Sequence, residues 1–75
     1  MTIRVVYGIE SQDKEFINPP TIGQVISDPV LKAVLGHGDN VRAFVHGVEQ
    51  PVTAMAPDVS QGEILLETKA NSKQS

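Results

Sequence analysis

The two histidines of this 75-residue chain and Asp39, which lies between them in the sequence, are of types that can bind a metal or transfer a proton. His37 and Asp39 lie in a short glycine-containing segment, and His46 follows within one strand length, so the three could converge. They come without a clear fourth ligand. The stretch from His37 to Asp39 is more typical of a turn in which Asp39 hydrogen-bonds neighbouring amides. We therefore predict neither a bound metal nor a cofactor.

Other catalytic residue types are poorly arranged. The chain has no cysteine, and its serines have no histidine nearby in the sequence. The glycines at Gly36 and Gly38 follow a helical pattern, whereas a phosphate-binding loop opens a helix. A domain of this length also has little volume for a ligand-sized cleft. We predict that the chain has no catalytic residues and is not an enzyme.

Composition narrows the class of partner and the compartment. The net charge is −3, with acids and bases mixed along the chain, and this disfavours a nucleic-acid partner, which a basic stripe would recognise. No apolar run approaches the roughly 18 residues of a membrane span, and the first residues are not typical of a signal peptide. The lack of cysteine fits a reducing compartment. We expect a cytoplasmic domain that is a monomer on its own and binds no membrane.

The elements that position these residues begin with strands. Period-two alternation and short apolar runs predict strands at 2–7, 14–18, 41–46, 48–50 and 63–69. The polar stretch 8–14 predicts the turn between the first two strands, and Pro19 and Pro20 end the second, because proline cannot donate to a strand ladder. His46 and Gly47 predict a tight reversal, in which His46 tolerates a positive φ.

A helix in two pieces is predicted between the second and third strands, at 22–27 and 29–35. Thr21 and Gln24 form a capping-box pattern, and Asp28 can cap a second piece that starts at Pro29 and ends at Gly36. The predicted apolar positions are Ile22, Val25 and Ile26 in the first piece, and Val30, Leu31, Val34 and Leu35 in the second. A hairpin, a helix and a returning hairpin predict an α+β fold of two layers.

In this order the elements resemble a ubiquitin-like β-grasp domain, with a mixed four- to five-stranded sheet and one proline-interrupted helix packed on one face. Three stretches resemble the ThiS and MoaD sulfur carriers. "NVRAFVHGVEQPV" is similar to their strand, turn and strand, with His46 where they commonly have asparagine. "VSQGEILLETKA" is similar to their ending, and "TIGQVI" to their threonine-capped helix start. We therefore expect the domain at 1–69, followed by a disordered polar tail at 70–75.

The resemblance also implies an activity that the tail does not suit. Carriers of this group end in a diglycine whose carboxylate an activating enzyme adenylates and converts to a thioester or thiocarboxylate. Here the matching positions read "KANSKQS", and no glycine follows Gly62. A divergent sulfur carrier or protein modifier without the usual diglycine is therefore an alternative to the function predicted next.

The resemblance implies an open sheet face, where partners dock. By alternation we predict that a partner binds a surface that includes Val6, Arg42, Phe44, His46, Leu65 and Lys69, with Glu67 on the same face. Phe44 stands where the resemblance places the central aliphatic residue of the ubiquitin recognition patch. An aromatic residue beside arginine and aliphatic residues is typical of an interface anchor. We therefore predict a non-catalytic module that binds an unidentified protein.

Other interpretations of the same residues stay open from the sequence. Isolated exposed apolar residues are ordinary on protein surfaces, and a bulge could turn Phe44 inward. The chain could also be a structural subunit that assembles through an exposed strand edge.

Overall fold

The computed structural model describes residues 1–69 of the chain. Its elements, in chain order, are β1 (Thr2–Tyr7), β2 (Glu10–Glu15), α1 (Ile22–Ile26), α2 (Pro29–Leu35), β3 (Val41–Val45), β4 (Val48–Gln50), a 3₁₀ turn (Val59–Gln61) and β5 (Ile64–Thr68). The predicted tail, 70–75, lies outside the described residues. None of the helices among the described residues is long and apolar enough to cross a membrane.

The five strands form one mixed sheet in the order β2-β1-β5-β3-β4. The central pair, β1 and β5, is parallel, and the other three pairs are antiparallel. The two short helices connect the first hairpin to the second, and they share a buried core with one face of the sheet. This arrangement confirms the predicted α+β fold of the β-grasp type.

The core lies between the helices and one sheet face. Its fully buried side chains come from both layers and are Ile3, Val5, Ile22, Val25, Leu31, Ile64 and Leu66. Burial of an aliphatic side chain of this size contributes about 1.5–3 kcal/mol each. In β1, β3 and β5 the buried residues alternate with exposed or half-buried ones, so residues 1–69 leave the other sheet face uncovered.

The helix starts follow the predicted capping chemistry. The Thr21 hydroxyl accepts a hydrogen bond from the Gln24 amide, at 3.2 Å, and the Gln24 side chain accepts one from the Thr21 amide, at 2.8 Å. The Asp28 carboxylate accepts from the amides of Val30 and Leu31, and Pro29 occupies the first turn of α2. Both pieces of the interrupted helix are therefore confirmed, and α1 ends at residue 26.

The position of the second strand was predicted wrongly. β2 spans Glu10–Glu15, whereas the prediction placed it at 14–18. Gly8 has a φ of +64°, which allows a two-residue turn, and Tyr7 pairs directly with Glu10. An edge strand of this kind is held by backbone hydrogen bonds to one neighbour and needs no apolar alternation. The apolar residue that suggested a later strand, Ile17, is almost completely exposed.

The apolar face of α2 is narrower than predicted. Leu31 and Leu35 are buried, but Val30 and Val34 are each about half exposed, at 51% and 50%. A seven-residue helix places residues four apart on the same stripe, so Val30 and Val34 share one stripe and Leu31 and Leu35 share the next. Only the second stripe faces the sheet.

Candidate functional site

The open face of the sheet carries a row of apolar side chains across its three inner strands. The strand registers place Val6 of β1 beside Leu65 of β5, and Leu65 beside Phe44 of β3. Val6 and Phe44 are half-buried, and Leu65 is 37% exposed. The neighbours of Phe44 along β3, Ala43 and Val45, belong to or pack against the core, so the bulge that would turn Phe44 inward does not occur in β3.

A groove of about 460 Å³ lies beside this row. It is bounded by the β3–β4 turn on one side and by the 3₁₀ turn and the start of β5 on the other. Its lining includes Phe44, Leu65, His46, Val59, Glu63 and Arg4. The groove therefore combines an apolar row with charged side chains at its margin, as protein-binding surfaces do.

His46 shapes one wall of the groove. Its φ is +52°, which confirms the predicted left-handed conformation. The ring Nε2 lies 2.8 Å from the carbonyl oxygen of Gln61. Because a carbonyl oxygen only accepts, Nε2 must carry the proton and donate it, and Nδ1 is the acceptor of the neutral ring. This bond ties the β3–β4 turn to the 3₁₀ turn.

Gly62 lines the groove and was not among the predicted site residues. Its φ is +145° and its ψ is 174°, a region that only glycine adopts readily. A Cβ atom at this position would lie 2.8 Å from the Nε2 of His46. The glycine that follows a polar turn was visible in the sequence. Its contact with His46, sixteen residues away, becomes visible only in the folded chain.

Arg4 also lines the groove and was not among the predicted site residues. Its Nε and one terminal nitrogen donate to the two carboxylate oxygens of Asp13, at 2.7 Å and 3.0 Å. This hydrogen-bonded pair lowers the pKa of Asp13 and raises the pKa of Arg4. Alternation along β1 puts Arg4 on the same face as Val6, and this pattern in the sequence could have identified Arg4 as a site residue. Its partner on β2 was hidden because the position of β2 was predicted wrongly.

The remaining predicted residues differ in how close they lie to the row. Arg42 lies two residues before Phe44 on β3, on the same face of the sheet. Its partner across the β3–β5 pair is Glu67. Lys69 lies beyond the end of β5, and its amide donates to the carbonyl oxygen of Asn40, at 3.1 Å. The structure thus brings Val6, Phe44, His46 and Leu65 together, with Arg42 adjacent and Lys69 at the far end of the face.

The other candidate residues serve the fold. His37 is buried, its Nε2 lies 2.8 Å from the carbonyl oxygen of Ile26, and its ring meets Tyr7 edge-on. The Asp39 carboxylate bonds Lys32, which lowers the pKa of Asp39. The partner of the Asp39 carboxylate is therefore a side chain on α2, whereas neighbouring amides were predicted. Within residues 1–69, metal-ligating side chains do not gather in groups of three or more.

Comparisons with known proteins show the fold and leave the family open. Neither the family models nor the curated proteins give a match. Among solved structures, a chain in the crystal structure of ATBAG1 in complex with HSP70 is similar, with a TM-score of 0.72 and 16% identity over 99% of this chain. The matched part is 43% of that chain, so the present chain spans less than half of its length. At this identity the likeness shows a shared fold.

Proposed function

We propose that this chain is a non-catalytic protein-interaction module whose open sheet face binds a protein partner. The observation that carries the proposal is the row of Val6, Leu65 and Phe44, which is partly exposed on the face opposite the helices. Two of its members, Phe44 and Leu65, line the groove. Aromatic and aliphatic side chains surrounded by polar ones are the usual anchors of such interfaces.

The polar groups of the groove support recognition better than catalysis. His46 already donates to Gln61, and two nitrogens of Arg4 are held by Asp13. These hydrogen bonds hold the β3–β4 turn against the 3₁₀ turn and hold β1 against β2, so the histidine and the arginine stabilise the walls of the groove.

The structural neighbour gives this proposal limited support. The chain that shares this fold over 99% of the present chain comes from the crystal structure of ATBAG1 in complex with HSP70. One fold hosts many unrelated functions, so the partner of that protein is not transferred to this chain. The support is that a protein containing this fold is found in a protein complex.

Affinity capture with matched variants tests the proposal. Tagged wild-type chain, Phe44→Ala and Val34→Ala are each used to capture proteins from a lysate, followed by quantitative mass spectrometry. Val34 is the control because it is a half-exposed apolar residue on α2, away from the open sheet face. We expect partners that are retained by the Val34 variant and lost by the Phe44 variant, with both variants folded by circular dichroism. Equal capture by the two variants would refute docking through Phe44.

A second candidate is the divergent sulfur carrier or modifier. The favouring observation is the left-handed turn at His46 and Gly47 between β3 and β4, in the place that the ThiS and MoaD resemblance gives it. Incubation with a sulfur-carrier activating enzyme and ATP, followed by intact-mass measurement, tests it. A mass increase for an adenylate or thiocarboxylate supports the carrier, and an unchanged mass leaves the interaction module as the better account.

Assembly through a strand edge is the third candidate. β2 and β4 form the two edges of the sheet, and each leaves one side of its backbone without a strand neighbour within the described residues. Sedimentation analysis separates this candidate from the proposal. We expect a monomer, whereas a concentration-dependent dimer would favour edge pairing.

A further inference from the structure

The outer edge of β2 carries backbone hydrogen-bonding groups without a strand partner among residues 1–69. β1 is the neighbour of β2 on one side, and the other side is an edge of the sheet. Just beyond this ladder, Met1 and Phe16 exchange two backbone hydrogen bonds, each 2.8 Å long. Bonded and non-bonded pairs alternate along an antiparallel ladder, so Glu15, Asp13 and Ser11 direct their amides and carbonyls away from β1. Three donor–acceptor pairs therefore line this edge.

The opposite edge of the sheet, β4, has much less backbone to share. It spans three residues, and Pro51, which follows it, has no amide hydrogen. The two-residue turn at His46 and Gly47 makes Val45 and Val48 a bonded pair, so alternation leaves the backbone groups of Glu49 as the outward ones of β4. Of the two edges, β2 is therefore the one with room for a further strand.

A groove of about 380 Å³ lies where β2 ends. Its lining includes Phe16, Ile17 and Pro19, together with Gln24 of α1. Phe16 packs against the core, on the helix side of the sheet. Side chains of residues that lie opposite each other in a ladder share one face. In a strand added to β2, the residue opposite Phe16 would therefore point to the helix side, at this groove.

One of the charged side chains of β2 has no partner of opposite charge. Three of the four are in ion pairs, which are Arg4–Asp13, Lys14–Asp28 and Glu15 with the Met1 amino group. The fourth, Glu10, is exposed and is in no ion pair within residues 1–69. It lies opposite Tyr7, which packs against the core, so Glu10 is on the helix side as well. A basic residue of an added strand would pair with it.

A second copy of the chain is a poor occupant of this edge. The helix-side residues of its own β2 are Glu10, Gln12 and Lys14, which are all polar, so the groove at Phe16 would receive no apolar side chain. The six residues of β2 also extend only about 20 Å. A strip of that length and one strand wide covers far less than the about 800 Å² per partner of a stable interface.

We propose that the β2 edge takes an extended segment of a partner protein as a sixth, antiparallel strand. An apolar residue of that segment lies at the groove beside Phe16, and a basic residue six positions later lies opposite Glu10. The outward backbone groups of β2 bind the segment, and the two side chains select it. The Gln12 side-chain amide donates to the carbonyl oxygen of Asp13, at 3.0 Å, and the added strand replaces that bond.

This inference goes beyond the proposed function because it concerns a second surface. The edge of β2 lies two strands from Leu65 on β5 and three from Phe44 on β3. A partner can therefore occupy one surface while the other stays free, and each can be disrupted separately.

Peptides of about nine residues test strand addition. The first is built of serine and threonine and carries one leucine and, six positions later, one lysine. It is titrated into the ¹⁵N-labelled full chain, and affinity is taken from the chemical shifts. We expect shifts of the Ser11, Asp13 and Glu15 amides and of the Gln12 side-chain amide. Methylation of the three peptide nitrogens that face these residues should abolish binding, whereas methylation of the alternate, outward-facing nitrogens should preserve it.

Matched changes test the two side chains. Leucine to serine in the peptide should weaken binding roughly tenfold. Lysine to glutamate should weaken it roughly threefold, and less as salt is added. On the chain, Ile17→Ser should remove the preference for leucine, and its control is Ile9→Ser, since both isoleucines are almost completely exposed. Glu10→Gln should remove the preference for lysine, with Glu49→Gln on the other edge as its control.

The outcomes separate this inference from the proposed function. Equal binding of the two methylated peptides overturns strand addition, and equal binding of the leucine and serine peptides overturns the groove assignment. A preference for lysine that survives Glu10→Gln overturns the charge assignment. Shifts on β3 and β5 that Phe44→Ala removes would place the peptide on the open face and overturn the inference while supporting that face. Binding by none of the peptides at millimolar concentration overturns the inference and does not touch the proposed function.

Discussion

Replacement of Gly62 by alanine tests how the groove is built. Gly62 has φ +145° and ψ 174°, and a Cβ atom there would lie 2.8 Å from the Nε2 and 3.1 Å from the Cε1 of His46. The substitution therefore strains its own backbone and displaces the ring that forms the groove wall. It should lower the free energy of unfolding by two separable contributions.

The two contributions set the expected magnitude. A non-glycine residue in this backbone region costs about 1–3 kcal/mol. Displacement of the His46 ring breaks its hydrogen bond to Gln61, 2.8 Å long, which removes a further 0.5–1.5 kcal/mol or so. Together they predict a loss of about 1.5–4.5 kcal/mol, a large share of the roughly 4–11 kcal/mol expected for a chain of this length.

Urea unfolding followed by circular dichroism measures this loss, with two glycine controls. Gly8→Ala introduces a left-handed alanine into open space, at φ +64°, and should show strain without a contact. Gly38→Ala has neither a left-handed φ nor an atom within 4 Å of the added carbon, and should change stability by less than about 1 kcal/mol. In a His46→Ala background, Gly62→Ala should keep its strain and lose the contact contribution.

A particular result would refute this reasoning. If Gly62→Ala destabilised the chain no more than Gly38→Ala, the backbone at residue 62 would not be in the glycine-specific region. If its cost were the same with and without the His46 ring, the close approach of the two residues would contribute nothing.

Further predictions concern the helices and acid stability. Leu31→Ala should cost about 2–5 kcal/mol, whereas Val34→Ala on the same helix should stay within about 0.5 kcal/mol, as urea unfolding can show. Burial opposes ionisation of Asp28, but bonds from Lys14 and the amides of α2 outweigh it and lower the pKa of Asp28. The stability from this ionisation is therefore present above the unfolded pKa, about 3.9, and lost as pH falls through the lower folded value. Asp28→Asn keeps the cap, and its acid unfolding should be shallower.

Local signals predicted much of the fold. Thr21 with Gln24, and Asp28 with Pro29, identified both helix starts because capping chemistry depends on residues three or four apart. Alternation identified β3 and β5, whose inward residues are buried. In the site, the same alternation placed Phe44, Leu65 and Val6 on one face.

The missed features depend on contacts distant in sequence. β2 is an edge strand with a polar sequence, so its place is set by pairing with β1. The Arg4–Asp13 pair follows from that register and was hidden with it. The contact between Gly62 and His46 joins two turns that meet only when β5 enters the sheet beside β3. Such contacts leave no periodic pattern in the sequence.

Site-specific photo-crosslinking tests the central claim most directly. A photoreactive residue replaces Leu65, which is 37% exposed on the open face, or Val34, which is 50% exposed on α2. The two full-length proteins are irradiated in the same lysate. The account predicts a discrete crosslinked partner from position 65 that disappears when Phe44→Ala is added, and no such product from position 34. A partner crosslinked from position 34 and absent from position 65 would contradict it.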